Sequence, residues 1–156
     1  MDLVAKLRWL LLAVAKPVAW IAPLLARLAI GWMFFEAGKG KIEDISTPIK
    51  FFTDLGIPAP KANAYLVAYT EWIGGAMLIL GALTRIASVP LIITMVVALL
   101  TAHRAEITSW QTLIGHDLFK YLALLVWLFA AGAGPISLDG LLVKIFGSKL
   151  EAGAKK

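Results

Sequence analysis

Cysteine is absent from the 156 residues. That excludes disulfides, thiolate metal sites, iron–sulfur clusters and CxxC redox chemistry carried by the chain itself. Charge is scarce: Asp, Glu, Lys and Arg make up 16% of the residues, where about 25% is usual in soluble domains. A soluble domain this small must cover most of its surface with polar groups, and these are too few. No Lys/Arg-rich block with interleaved aromatics occurs, so the net charge of +5 does not point to nucleic acid. GxxxxGK, HExxH and GxSxG patterns are missing too, which leaves nucleotide, zincin and serine-hydrolase chemistry without support.

Apolar residues are abundant instead. They make up 60% of the chain, and mean hydropathy is +0.83. Lipid is therefore the expected solvent for the outer face. Four apolar runs stand out, at about 18–37, 65–83, 86–102 and 118–133. Each is near the roughly 17–25 residues that a tilted spanning helix needs. The runs are continuous rather than alternating, which favours helices over a barrel. The expected fold is an all-α integral membrane protein whose four transmembrane helices form a bundle over 17–140. An N-terminal interfacial helix over 1–16 precedes it, and a basic tail over 141–156 follows.

Within 1–16 the apolar stretch 9–15 is only seven residues long and no small-residue cleavage site follows. An interfacial helix ending at Lys16-Pro17 is expected rather than a cleaved signal. In the long connection 39–61, Thr47-Pro48 reads as an N-cap with proline at the first helical position. Ile49, Phe51, Phe52 and Leu55 follow, with Gly56 placed to end a short amphipathic helix. Pro58 and Pro60 then reset the chain. Residues 84–90 form a tight connection around Arg85, and 103–117 a short polar loop containing Trp110.

Orientation follows from basic residues outside the spans. Lys6, Arg8, Lys16, Arg85, Lys144, Lys149, Lys155 and Lys156 share one side, and Lys39, Lys41, Lys50, Lys61 and Arg104 the other. Eight against five places both termini in the cytoplasm.

Charges at membrane depth are costly, at least about 2.5–3.5 kcal/mol each near the centre, and so are functional candidates. Glu36 and Lys39 close the first span, and Glu71 lies roughly 9 Å inside the second. His103 ends the third span, while His116, Asp117 and Lys120 open the fourth. All four helices thus bring ionisable groups to the outer half, leaving Arg27 near mid-depth and Arg85 at the inner rim. Glu71 is the candidate proton-exchanging residue. Arg27, Glu36, Lys39, Tyr69, Trp72, His103, Asp117 and Lys120 are the candidate ligand-binding residues. The structural alternatives stay open: solvated span ends for His103, Asp117 and Lys39, and interhelical glue for Glu71 and Arg27. Tyr65, Tyr69 and Trp72 form either an interfacial belt or a flat wall for a ring-shaped ligand. No metal site is expected; His103 and His116, with Glu106 and Asp117 beside them, are the weak candidates for a metal or a haem. Small residues mark packing stripes: Arg27, Gly31, Phe34 and Gly38 in the first span, and Glu71, Gly74, Gly75, Leu78, Gly81 and Ala82 in the second.

Arg27-Leu-Ala-Ile-Gly31, followed by Phe34-Phe35-Glu36-Ala-Gly38-Lys39, resembles the first-span pattern of the DoxX family of small four-helix membrane proteins. So do Leu55-Gly56-Ile57-Pro58 and Glu71-Trp-Ile-Gly-Gly75, the latter continuing through Leu80-Gly81 to Thr84-Arg85. Gly132-Ala-Gly134-Pro-Ile-Ser137-Leu-Asp139 is similar to the family's closing Gly-Pro-Gly…Ser-Leu-Asp, with Ala133 and Pro135 as departures. The likeness covers 23–140.

It implies an inner-membrane protein with four spans and charged family positions at Arg27, Lys39, Glu71 and Arg85. His116-Asp117 stands where the family often has Glu. Some members are subunits of a thiosulfate:quinone oxidoreductase, others associate with redox or oxidative-stress complexes, and distant relatives are membrane cargo receptors. No cofactor motif is evident; the expected function is a redox-associated component of a membrane complex that binds a quinone or a small oxyanion, with a bound quinone as the expected cofactor. The partners expected are the lipid bilayer and either other subunits or further copies of this chain. A non-enzymatic assembly partner and a small transporter or metal-handling protein remain the alternatives.

Overall fold

A computed structural model describes residues 3–153, and among them it is helical without strands. Asp2, Lys155 and Lys156 of the expected terminal segments lie outside the described residues. The elements are α1 (Leu3–Val18), α2 (Ile21–Glu43), α3 (Ser46–Asp54), α4 (Pro60–Leu80), α5 (Thr84–Leu100), α6 (Trp110–Gly115), α7 (Asp117–Ala131) and α8 (Leu138–Gly153). The four apolar runs fall on α2, α4, α5 and α7.

Several local expectations need correction. Residues 84–90 are not a connection: they form the first turns of α5, which begins at Thr84 directly after the left-handed Leu83. α1 runs through Lys16-Pro17 to Val18. The N-cap of α3 is Ile45 rather than Thr47, because the Ser46 and Thr47 hydroxyls turn back onto the Asp44 carboxylate. The connection 103–117 is not all loop: Ser109 and Thr112 form a reciprocal capping box that starts α6. The tail from Leu138 is helical through Gly153, yet none of its side chains whose burial is described is buried. Gly56 does end α3, with φ +68.

The antiparallel pair α2/α4 organises the bundle. The buried side of α2 is Arg27, Ile30, Gly31, Phe34 and Gly38, and that of α4 includes Ala64, Ala68, Glu71, Gly74, Gly75 and Leu78. Glycine on both stripes brings the backbones together. A Cβ at Gly38 would lie 2.7 Å from the Ala68 carbonyl oxygen, and one at Gly75 2.7 Å from that of Gly31. α4 packs on α5, α5 on α7, and α7 returns to α2, so four helices close a ring. Its core holds Ile30, Phe34, Leu78, Ala87, Leu91, Met95, Leu125 and Leu128.

The outer faces are as apolar as the core. Trp32, Leu66, Ile73, Ile86, Ile93, Leu100, Val126 and Phe129 are exposed on the four bundle helices. Helices apolar on all sides belong inside a large protein or in lipid. Among the described residues α2 is the one helix long and apolar enough to cross a membrane, with mean hydropathy 1.3. Only 28% of its apolar window is buried, unlike the core helix of a soluble protein. α5 is apolar but has 17 residues, and α7 has 15.

Candidate functional site

The α2 stripe continues one turn past Gly38 to Lys41, whose ammonium donates to Glu71 Oε2 on α4. The Glu71 side chain is 5% exposed and that of Lys41 32%. A carboxylate this deep is tolerated because its charge is paired and hydrogen-bonded.

The pair sits in a cleft of about 570 Å³ between α3, α4, α5 and the first turn of α7. That volume is within the range of small-molecule sites. Pro48 and Phe52 come from α3, Thr70 from α4, Met95 from α5 and Leu118 from α7. His103, just beyond α5, completes the polar end. Two local devices shape the walls. The Asn63 amide donates to the Pro58 carbonyl at 2.7 Å and fixes the entry into α4. Pro90, inside α5 and on the cleft wall, withdraws one backbone donor from the helical ladder.

Beside the cleft, His103 Nδ1 lies 3.0 Å from Glu106 Oε1 and His116 Nε2 lies 3.2 Å from Glu106 Oε2. The two rings meet edge to face, 4.8 Å between centroids. Hydrogen bonds from His103 and then His116 hold the Glu106 carboxyl below its ordinary value. His116 also caps α7, its Nδ1 accepting from the Leu118 N–H at 3.2 Å.

Of the expected site residues, Glu71 and His103 are brought together in the cleft. The others lie elsewhere. Arg27, expected near mid-depth, is buried at the end of the bundle away from Glu71, against Gly81. From Glu71 to Gly81 is ten residues of helix, roughly 15 Å. Lys39 pairs with Glu43 on the surface at 3.8 Å, and Glu36 is exposed. Asp117 and Lys120 form an exposed pair at 2.8 Å. Tyr69 stacks on Tyr65 at 6.4 Å and Trp72 packs on Phe35 at 6.2 Å, both outside the cleft lining. Lys41 was missing from the expected site, although its spacing continues the stripe Arg27, Gly31, Phe34, Gly38.

At the far end Arg27 Nη1 donates to the Ala133 carbonyl at 3.1 Å and Nη2 to that of Ile136. Asp139 accepts from the Leu83 and Thr84 N–H groups at 2.6 and 2.9 Å, capping α5 from 55 residues away. The Arg85 guanidinium donates to the Ala130 carbonyl at 3.1 Å. Gly132 to Asp139 therefore forms a clasp that binds three helix ends together, and Arg27 serves it.

The fold and cleft define a membrane-associated helical bundle with a charged pair inside an apolar recess. The DoxX family model matches residues 22–104, and the chain belongs to that family. It is 32% identical over 126 residues to the Bacillus subtilis (strain 168) protein named "Putative oxidoreductase CatD", covering 80% of this chain and 89% of that protein. No solved structure matches the chain. Family and relative together support a redox-associated membrane protein.

Proposed function

We propose that this DoxX-family protein crosses the inner membrane four times and is a redox component binding a quinone or similar small lipophilic oxidant in the Lys41–Glu71 cleft. α2, α4, α5 and α7 are the spans, with both termini cytoplasmic. One observation carries the reading: a recess of about 570 Å³ with apolar walls surrounds a paired carboxylate, an ammonium and an imidazole. Leu66, Ile93 and Val97 on its margin are exposed, so a ligand enters sideways from the acyl chains.

The residues fit such a ring. Phe52 and Met95 offer flat and adaptable apolar contact, Lys41 and His103 offer donors to carbonyl oxygens, and Glu71 holds or releases a proton beside them. A bound quinone supplies the electron-accepting chemistry that this cysteine-free chain lacks in its own side chains.

The test is binding of a decyl-tailed benzoquinone to detergent-purified protein. One ligand per chain is expected, with at least about tenfold weaker binding for Glu71→Gln and His103→Ala, and unchanged binding for Trp72→Leu. Equal losses in all three variants, or none in wild type, would overturn the reading. Reporter fusions at Lys156 and in the 39–61 loop test the topology, and a periplasmic tail would reverse it.

A further inference from the structure

We propose that His103, Glu106 and His116 form a binding site for a divalent transition-metal ion of the zinc class, at the junction of α5 and α7. The site adjoins the cleft and shares His103 with it, while Glu106 and His116 lie outside the cleft lining.

The three residues come from two ends of one connection, 13 positions apart at the extremes, and the fold makes their donor atoms converge. One ligand atom from each lies within 4.8 Å of the other two. The two histidines meet different oxygens of the Glu106 carboxylate, His103 Nδ1 at 3.0 Å from Oε1 and His116 Nε2 at 3.2 Å from Oε2. A tetrahedral ion with bonds of about 2.0–2.2 Å needs adjacent donors about 3.4 Å apart, so small side-chain shifts from these positions would seat one. Two imidazoles and one carboxylate match a borderline divalent cation, with water filling the remaining position. The site is also open to ions: the Glu106 side chain is 60% exposed, that of His103 35% and that of His116 17%.

The hydrogen bonds of these residues show what an ion would replace. Because His116 Nδ1 accepts from the Leu118 N–H, the proton of the neutral ring is on Nε2 and is donated to Glu106. Metal on Nε2 of a neutral imidazole requires that proton to move to Nδ1. That nitrogen then stops accepting and the cap on α7 is lost. Occupancy and the cap therefore compete, and the first turn of α7, which carries the cleft residue Leu118, reports on the metal. His103 shifts its Nδ1 proton to Nε2 in the same exchange, so binding changes the tautomer of both rings without net loss of a proton from either.

The experiment uses the full chain in detergent, without an oligohistidine tag. Zn²⁺ is titrated calorimetrically, and Co²⁺ is followed by its visible absorption. The expected result is one ion per chain, a Co²⁺ spectrum of low coordination number, and affinity at least about tenfold lower in His103→Ala, Glu106→Ala and His116→Asn. His116→Asn keeps a cap acceptor for Leu118 while removing the imidazole, so its loss of binding cannot be assigned to an unravelled α7. Melting of the ion-free variants with wild-type midpoints confirms that they are folded. Wild type that takes up no Zn²⁺ overturns the site, as does affinity unchanged in the His103→Ala/His116→Asn double variant.

Discussion

Lys41 and Glu71 are 30 residues apart, yet the last turn of α2 delivers the ammonium onto the Glu71 carboxylate halfway along α4. Each charge is tolerated because of the other. Removing one partner of a buried pair costs more than removing both. Lys41→Met is expected to destabilise the bundle by about 2 kcal/mol, a value reduced because Lys41 keeps some solvent contact. Lys41→Met combined with Glu71→Leu should recover much of that loss in reversible SDS unfolding. Additive losses in the double-mutant cycle would show that the pair does not couple.

The glycines on α2 divide into two kinds. A Cβ at Gly38 meets the backbone of α4, whereas one at Gly40 meets nothing within 4 Å. Gly38→Ala should force α2 and α4 apart and destabilise by about 1–3 kcal/mol. Gly40→Ala should be neutral or stabilising by up to about 1 kcal/mol, from helix propensity alone. Melting curves of the two variants check the contrast, and similar midpoints would refute the close packing.

Leu83 holds a left-handed backbone, φ +49, between Gly81 and the start of α5. Asp139 secures it by accepting from two successive N–H groups. Asp139→Ala should cost about 1–2 kcal/mol, as for other lost caps. Leu83→Gly should relieve about 1 kcal/mol of strain, because the leucine side chain is half exposed and contributes little packing. Thermal melts of both variants test this, and a destabilising Leu83→Gly contradicts it.

Hydrogen bonds from Ser46 and then Thr47 hold the Asp44 carboxyl below its ordinary 3.8. A carboxyl depressed by folding contributes stability above its unfolded value and loses it as pH falls through the folded one. The start of α3 should therefore loosen on acidification below about pH 3.8, seen as faster amide exchange over 46–50. Asp44→Asn should flatten that dependence. An NMR titration midpoint for Asp44 at or above 3.8 is the contrary outcome.

The bundle was legible because helices apolar on every face read as unbroken apolar runs, and α2, α4, α5 and α7 lie on four of them. Helix faces were legible too: the stripes through Gly31 and Gly75 are the buried ones. α6 was less so, since its start depends on a hydroxyl exchange between Ser109 and Thr112 inside a polar stretch. Depth misled at Arg27. Counting along one helix says how far a charge is from a span end, but not that two carbonyls from 133 and 136 converge on it. Lys41 escaped because it lies past the apolar run, while the helix itself continues to Glu43. Convergence of His103 with His116 is a tertiary event, though their placement at one end of two adjacent helices announced it.

The clasp around Asp139 also bears on the order of assembly. α5 receives its cap, and Arg27 its carbonyl partners, from a segment made more than 40 residues after α5 begins. Chains released before Asp139 leave one end of the ring unlatched, however completely their helices have formed. Quality control over this protein is thereby concentrated near the end of its synthesis, and truncations just before and just after residue 139 should differ sharply in survival in the cell.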